Sequence, residues 1–87
     1  MNYPNPDYVR TFFKQKGSRQ SVKGVGVQWT GMKVLPAIHK EYPDYCYMQT
    51  ENMCGNAEND WSSLENTWKA IVHCFNNGVS SYMYWNM

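Results

Sequence analysis

Two hydrophobic periods alternate along this chain, and that alternation restricts the folds open to it. Residues 22–29, V-K-G-V-G-V-Q-W, place Val22, Val25 and Val27 in a short run suited to an extended strand. A second run covers 45–50 and is followed at once by Glu51, and a third covers 79–86. Each run is preceded by a segment whose apolar residues recur at helical spacing. The order helix, strand, helix, strand, helix, strand predicts an α/β fold with a parallel sheet and helices packed on it. Three parallel strands leave two raw edges, and parallel sheets are ordinarily covered on both faces. The pattern therefore calls for further strands or a partner chain.

The boundaries carry local signals. Asn5-Pro6-Asp7 reads as a helix start, with Asn5 as cap and proline in the first turn. Tyr8, Val9, Phe12 and Phe13 share one face of that helix, which Gly17-Ser18 ends. A polar connection is expected through Lys23. Gly24 and Gly26 fall on one face of the first strand, where glycine admits a backbone or a ligand at close range. A dinucleotide loop is not expected there, because the third glycine is missing and no helix opens directly on the pattern. Thr30-Gly31 should turn the chain into a helix over 32–42, with Leu35, Ile38 and Tyr42 buried. After a loop over 52–60, a third helix is expected over 61–76. Ser62 and Glu65 have capping-box spacing, and Asp60 competes as cap. Trp61, Leu64, Trp68, Ile71, Val72 and Phe75 form its apolar stripe, which predicts core packing for both tryptophans.

Charge excludes some functions. Eight basic and seven acidic residues leave a net charge of +1, which gives no footprint for nucleic acid or an anionic membrane. No apolar run is long enough to span a bilayer. The first ten residues, with Pro4, Pro6, Asp7 and Arg10, do not read as a secretory signal. Cys46, Cys54 and Cys74 are odd in number and fit no zinc or redox spacing, so they read as free or buried thiols. His39 and His73 have no partner at metal-ligand spacing and read as helix-surface residues. No cofactor or metal is implied.

In parallel α/β folds, functional side chains gather where strands end. The three ends carry Gln28 and Trp29, then Gln49, Thr50 and Glu51, then Tyr84, Trp85 and Asn86. Amides bind hydroxyls, indoles stack on sugar rings, and a carboxylate can act as base or nucleophile.

Several longer runs resemble one family. Tyr42-Pro43-Asp44-Tyr45-Cys46-Tyr47-Met48-Gln49-Thr50-Glu51, then Cys54-Gly55-Asn56 and Asn59-Asp60-Trp61, are similar to glycoside hydrolase family 30. So are Asn76-Asn77-Gly78-Val79-Ser80-Ser81-Tyr82-Met83-Tyr84-Trp85-Asn86-Met87 and, upstream, Gly24-Val25-Gly26-Val27-Gln28-Trp29 with Leu35-Pro36 and Ile38-His39. The resemblance spans about residues 22–87. It implies that residues 1–87 are part of a (β/α)8 TIM barrel, with the three strands as its sixth, seventh and eighth. It implies a retaining β-glycosidase of the glucosylceramidase or β-1,6-glucanase type. The glutamate of the Thr-Glu step, here Glu51, would be the nucleophile. Trp85 would floor the −1 sugar subsite, with Gln28, Trp29 and Asn86 as further substrate contacts. The substrate would be a β-linked glucoside or glucan, and the parent enzyme would be secreted or extracytoplasmic. The family's small β-sandwich has no counterpart here.

Retaining hydrolysis needs two carboxyl groups about 5–5.5 Å apart, one a nucleophile and the other an acid and then a base. The family's acid/base glutamate follows an earlier strand, in an Asn-Glu step that lies outside residues 1–87. Glu58 and Asp60 are poor substitutes, since Asp60 is expected to cap a helix and Glu58 to be solvated. The chain alone is therefore expected to be inactive. The alternative is a stand-alone carbohydrate-binding or assembly module that needs a partner chain.

Overall fold

Asn5 starts the first helix as its side chain predicts. Its Oδ1 accepts from the Asp7 amide at 2.9 Å, and α1 runs Asp7–Phe13. The computed structural model describes residues 1–53, 58 and 60–85. After α1, Gly17 at φ 82° turns the chain into a short helix, α2, Ser18–Ser21, where only a connection was expected. Arg19 of α2 lies over the rings of Tyr42 and Tyr45, 5.6 and 6.0 Å from their centres. Strand β1 follows at Gly24–Gln28.

The expected helix over 32–42 is two elements. A 3-10 helix spans Trp29–Val34 and passes into α3, Leu35–Glu41, with Pro36 harmlessly in its first turn. Strand β2 runs Cys46–Asn52, so Glu51 lies within the strand and not after it. Helix α4 covers Trp61–Asn76, and β3 covers Val79–Tyr84. The sheet is parallel throughout, in the order β1-β2-β3, with β2 central.

The helices pack on one face of this sheet. Val9 and Phe13 of α1, Val34, Leu35 and Ile38, Val27, Tyr47, Cys74 and Val79 form one buried cluster. Tyr47 crosses it, and its hydroxyl shares its proton between the carbonyls of Tyr42 (2.7 Å) and Ile38 (3.0 Å). The opposite face carries Cys46, Thr50 and Ser80, all exposed.

Helix α4 corrects the sequence reading. Its cap is Asp60, whose Oδ1 accepts from the Ser63 amide at 2.7 Å. Glu65 instead accepts from Trp61 Nε1 at 3.0 Å. Ala70 and Cys74 are the buried residues of α4, with Ser63 and Thr67 half-buried on the same stripe. Small side chains let the helix lie close to the sheet. The bulky stripe beside them stays in solvent: Trp61 is 73% exposed and Trp68 65%, with Leu64, Val72 and Phe75 also exposed. Core packing of these two tryptophans is therefore not observed.

The histidines are half-buried and make contacts across the fold, so they are not freely solvated. The His39 ring meets Tyr47 edge-on at 5.6 Å, and a ring nitrogen of His73 lies 3.0 Å from the Met32 carbonyl oxygen. Gly78 closes the turn from α4 to β3 at φ 83°. A Cβ there would lie 2.5 Å from the His39 ring. Gly78→Ala should thus cost about 1–3 kcal/mol in urea denaturation, from the left-handed backbone and the clash together.

Gly24 and Gly26 make room for a neighbouring strand. A Cβ on Gly24 would lie 2.6 Å from the Cys46 carbonyl oxygen, and one on Gly26 3.0 Å from the Thr50 methyl. The close approach is that of β2.

Candidate active-site rim

The ends of β1 and β2 are brought together by an irregularity. Register advances one for one from Gly24↔Cys46 to Val27↔Gln49, and then Gln28 pairs with Glu51, skipping Thr50. Thr50 Oγ1 donates to the Val27 carbonyl at 3.0 Å and fixes the extra residue in place. A bulge of this kind re-aims side chains near a strand end. Here it sets the Gln28 amide against the Glu51 carboxylate, and Gln28 Nε2 donates to Glu51 Oε2. Both residues are half-buried.

Trp29 adopts φ 50°, the left-handed region, which is uncommon for a non-glycine residue. That backbone turns β1 sharply into the 3-10 helix. Its indole is exposed. On the other side of β2, the Trp85 amide donates to the Asn52 carbonyl at 2.6 Å, so the backbone beyond β3 is pinned to the end of β2. The Trp85 ring is 57% exposed. The two indoles thus stand at the ends of the strands flanking Glu51. Asn86 lies outside the described residues.

Asn52 was missed in the sequence. It continues β2 past Glu51, and its Nδ2 donates to the Tyr82 hydroxyl at 2.6 Å. The signal was available: an asparagine directly after the candidate carboxylate, with a tyrosine on the next strand. Burial raises the Tyr82 hydroxyl pKa, and the Asn52 bond opposes that rise. Gln49 belongs to the helix-covered face and not the rim. It is fully buried, and its amide has no hydrogen-bond partner among the described residues.

Glu58 and Asp60 line a depression of about 430 Å³ at the start of α4, with Trp61, Ser63, Leu64, Thr67 and Tyr84. Glu51 is not among its walls. The Ser63 backbone bond holds the Asp60 carboxyl below its ordinary range, in keeping with a helix cap. The described residues thus present one carboxylate, Glu51, where β1 and β2 end together. They contain no group of three or more His, Cys, Asp or Glu that could hold a metal ion. No helix among them is long and apolar enough to cross a membrane. Cys46 is an exposed free thiol and Cys74 a buried one, while Cys54 lies outside the described residues.

No family model matches the chain, and no curated protein matches it. Among solved structures it is similar to the crystal structure of SrfJ from Salmonella typhimurium, with a TM-score of 0.74 and 19% sequence identity. The match covers 95% of this chain and 20% of that one, so the chain spans about a fifth of its length. At this identity the likeness carries the fold. Three parallel strands alternating with helices match a portion of a larger TIM-barrel-like chain.

Proposed function

We propose that this chain is part of a retaining β-glycosidase barrel, in which Glu51 attacks the anomeric carbon of a β-linked glucoside. The reading is carried by one observation: a carboxylate at the end of the central strand, gripped by an amide from the neighbouring strand. One oxygen held by Gln28 fixes the plane of the carboxylate, and rigid placement of a nucleophile accounts for much of catalytic rate. The similarity of the Thr50-Glu51 step and of Tyr84-Trp85-Asn86 to glycoside hydrolase family 30 supports the same assignment. Trp85, with Trp29 on the far side, would offer ring faces to the sugar. Gln28 and Asn86 would offer amides to its hydroxyls. The substrate class is a glucan or a glucosylceramide, and the reading puts the parent enzyme outside the cytoplasm.

The second carboxyl group must come from elsewhere in the barrel, because Glu58 and Asp60 sit on the α4 side of the molecule. The chain alone should turn over no aryl β-glucoside. Turnover that disappears in Glu51→Gln would show that these residues hold a complete site. The nucleophile itself is tested in a longer polypeptide carrying the whole barrel, with 2-deoxy-2-fluoro-β-glucosyl fluoride. Fluoride leaves the anomeric carbon without a proton, a carbon–oxygen bond forms to the nucleophile, and the ester persists. Mass spectrometry should find the sugar on the peptide containing Glu51. Label on a different carboxylate, or no label, would reject Glu51.

The exposed face of the parallel sheet favours a second reading, a binding or assembly module completed by a partner chain. A defined monomer or oligomer whose tryptophan fluorescence is quenched by glucan supports the module. Progressive self-association supports the cut barrel.

A further inference from the structure

The bulge in β2 faces both of its neighbours. Against β1, Gln28 pairs with Glu51 where one-for-one register would give Thr50. Against β3, Gln49 pairs with Tyr82 and Asn52 with Tyr84, so β2 takes three steps where β3 takes two. The central strand thus carries one extra residue relative to both, and Thr50 and Glu51 fall in that stretch. An extra residue disrupts the ladder locally. Other bonds must then hold the strand end in place.

On the β1 side Thr50 supplies one, to the Val27 carbonyl. On the β3 side Asn52 supplies two. Its carbonyl accepts from the Trp85 amide at 2.6 Å, and its Nδ2 donates to the Tyr82 hydroxyl oxygen at 2.6 Å. The two bonds reach different places. Tyr82 is half-buried and packs against the core cluster, so the side-chain bond ties Asn52 to the body of the fold. Trp85 lies three residues further on with its ring exposed, and the backbone bond extends that anchorage to it. Asn52 directly follows Glu51 in β2. One residue therefore joins the strand end that bears the carboxylate to the strand end that bears the indole.

We propose that Asn52 is a positioning residue, which sets Trp85 in place relative to Glu51 by bracing both strand ends against Tyr82. Its catalytic meaning rests on the reading of Glu51 as nucleophile and Trp85 as sugar platform. The brace stands on the register and the two hydrogen bonds. A displacement of about 1 Å between reacting groups can cost on the order of a hundredfold in rate, so a brace between nucleophile and platform matters.

Two measurements test it. In the chain of 87 residues, amide exchange at Trp85 is read by NMR. Val27, whose backbone groups face β2, is the folding control. Asn52→Ala keeps the carbonyl that accepts from Trp85 and removes only the side-chain donor, yet it should speed Trp85 exchange about tenfold. Tyr82→Phe deletes one oxygen and should do the same, and the double variant should add nothing further. Val27 should stay protected in all three. Unchanged Trp85 exchange in either single variant would overturn the proposal, as would effects that multiply in the double. Loss of Val27 protection in both single variants would also overturn it, by making the pair a general support of the fold. The second measurement uses the whole-barrel polypeptide and 2-deoxy-2-fluoro-β-glucosyl fluoride. Asn52→Ala should lower the maximal rate of ester formation about tenfold or more. The half-saturating reagent concentration should change by less than about threefold, because the ring still stacks on the sugar but no longer holds it over the carboxylate. An unchanged maximal rate would overturn the proposal. Label on a carboxylate other than Glu51 in the unsubstituted barrel would instead reject the nucleophile, and Trp85 exchange would still decide whether Asn52 braces the two strand ends.

Discussion

Ile38→Ala is expected to leave a large part of the population unfolded at 25 °C, seen as loss of helical circular dichroism and of a cooperative urea transition. Ile38 is fully buried in the single cluster joining α1, α3, the sheet and α4. Truncating such a side chain costs about 2–5 kcal/mol, from lost transfer energy and the cavity left behind. A domain of this size has only about 5 kcal/mol in reserve, or less. The substitution keeps the Ile38 carbonyl, which accepts from both the Tyr42 amide and the Tyr47 hydroxyl, so the loss is one of packing alone. Trp68→Ala removes a larger side chain yet should change stability by less than about 0.5 kcal/mol, since Trp68 lies mostly in water. If the two substitutions cost the same, the buried cluster is not what holds the fold together.

The second large effect is alkaline unfolding. Burial pushes the Tyr47 hydroxyl up to about 12 and the Cys74 thiol up to about 11. Neighbouring Tyr42, Tyr45 and Glu41 push Tyr47 the same way. Both groups hold their protons more tightly folded than unfolded. Below about pH 9 neither state is ionised and nothing is lost. As pH rises from about 9 towards 12, the unfolded chain gives up these protons first, and stability falls until the folded values are passed. A tenfold difference in proton affinity between the two states is worth about 1.4 kcal/mol, so the pair together removes on the order of 5 kcal/mol. Melting temperature should therefore be flat from neutral pH to about 9 and drop steeply above it. Cys74→Ala should move the onset from near 9 to near 10, where tyrosine begins to ionise. An unfolding profile unchanged up to pH 12 would mean that these two groups are not buried.

The sequence made the element order and strand polarity readable, because hydrophobic period depends on neighbours along the chain. Helix α1, β1, α3, β2, α4 and β3 lie within a few residues of their expected places. Glu51 and Gln28 were both singled out at strand ends, yet their pairing was not readable. It depends on the bulge at Thr50, which one threonine hydroxyl fixes to a carbonyl on another strand. Gln28 was read as a sugar contact, and one N–H of its amide donates to Glu51. The most misleading signal was the tryptophan stripe of α4. Periodicity reports that a face is apolar and not what covers it, and the face turned to the sheet is the modest Ser63-Thr67-Ala70-Cys74 row. His39 and His73 were incompletely readable for a related reason: the contacts that half-bury them come from Gly78, Tyr47 and Met32, which are distant in sequence.

The exposed face of the sheet has a consequence for volume. Closed eight-stranded barrels have solid interiors, packed in layers of side chains drawn from alternate strands, with bulky branched residues dominating. These three strands bring mostly small groups to the body of that side: Gly24 and Gly26 from β1, Cys46 and Thr50 from β2, Ser80 from β3, with Met48, Met83 and, at the rim, Gln28 and Glu51 as larger exceptions. Any barrel that closes on them must fill its axis from the opposite wall. Large inward side chains on the facing strands are then required, and enlarging Gly26 would have to be matched by shrinking one of them.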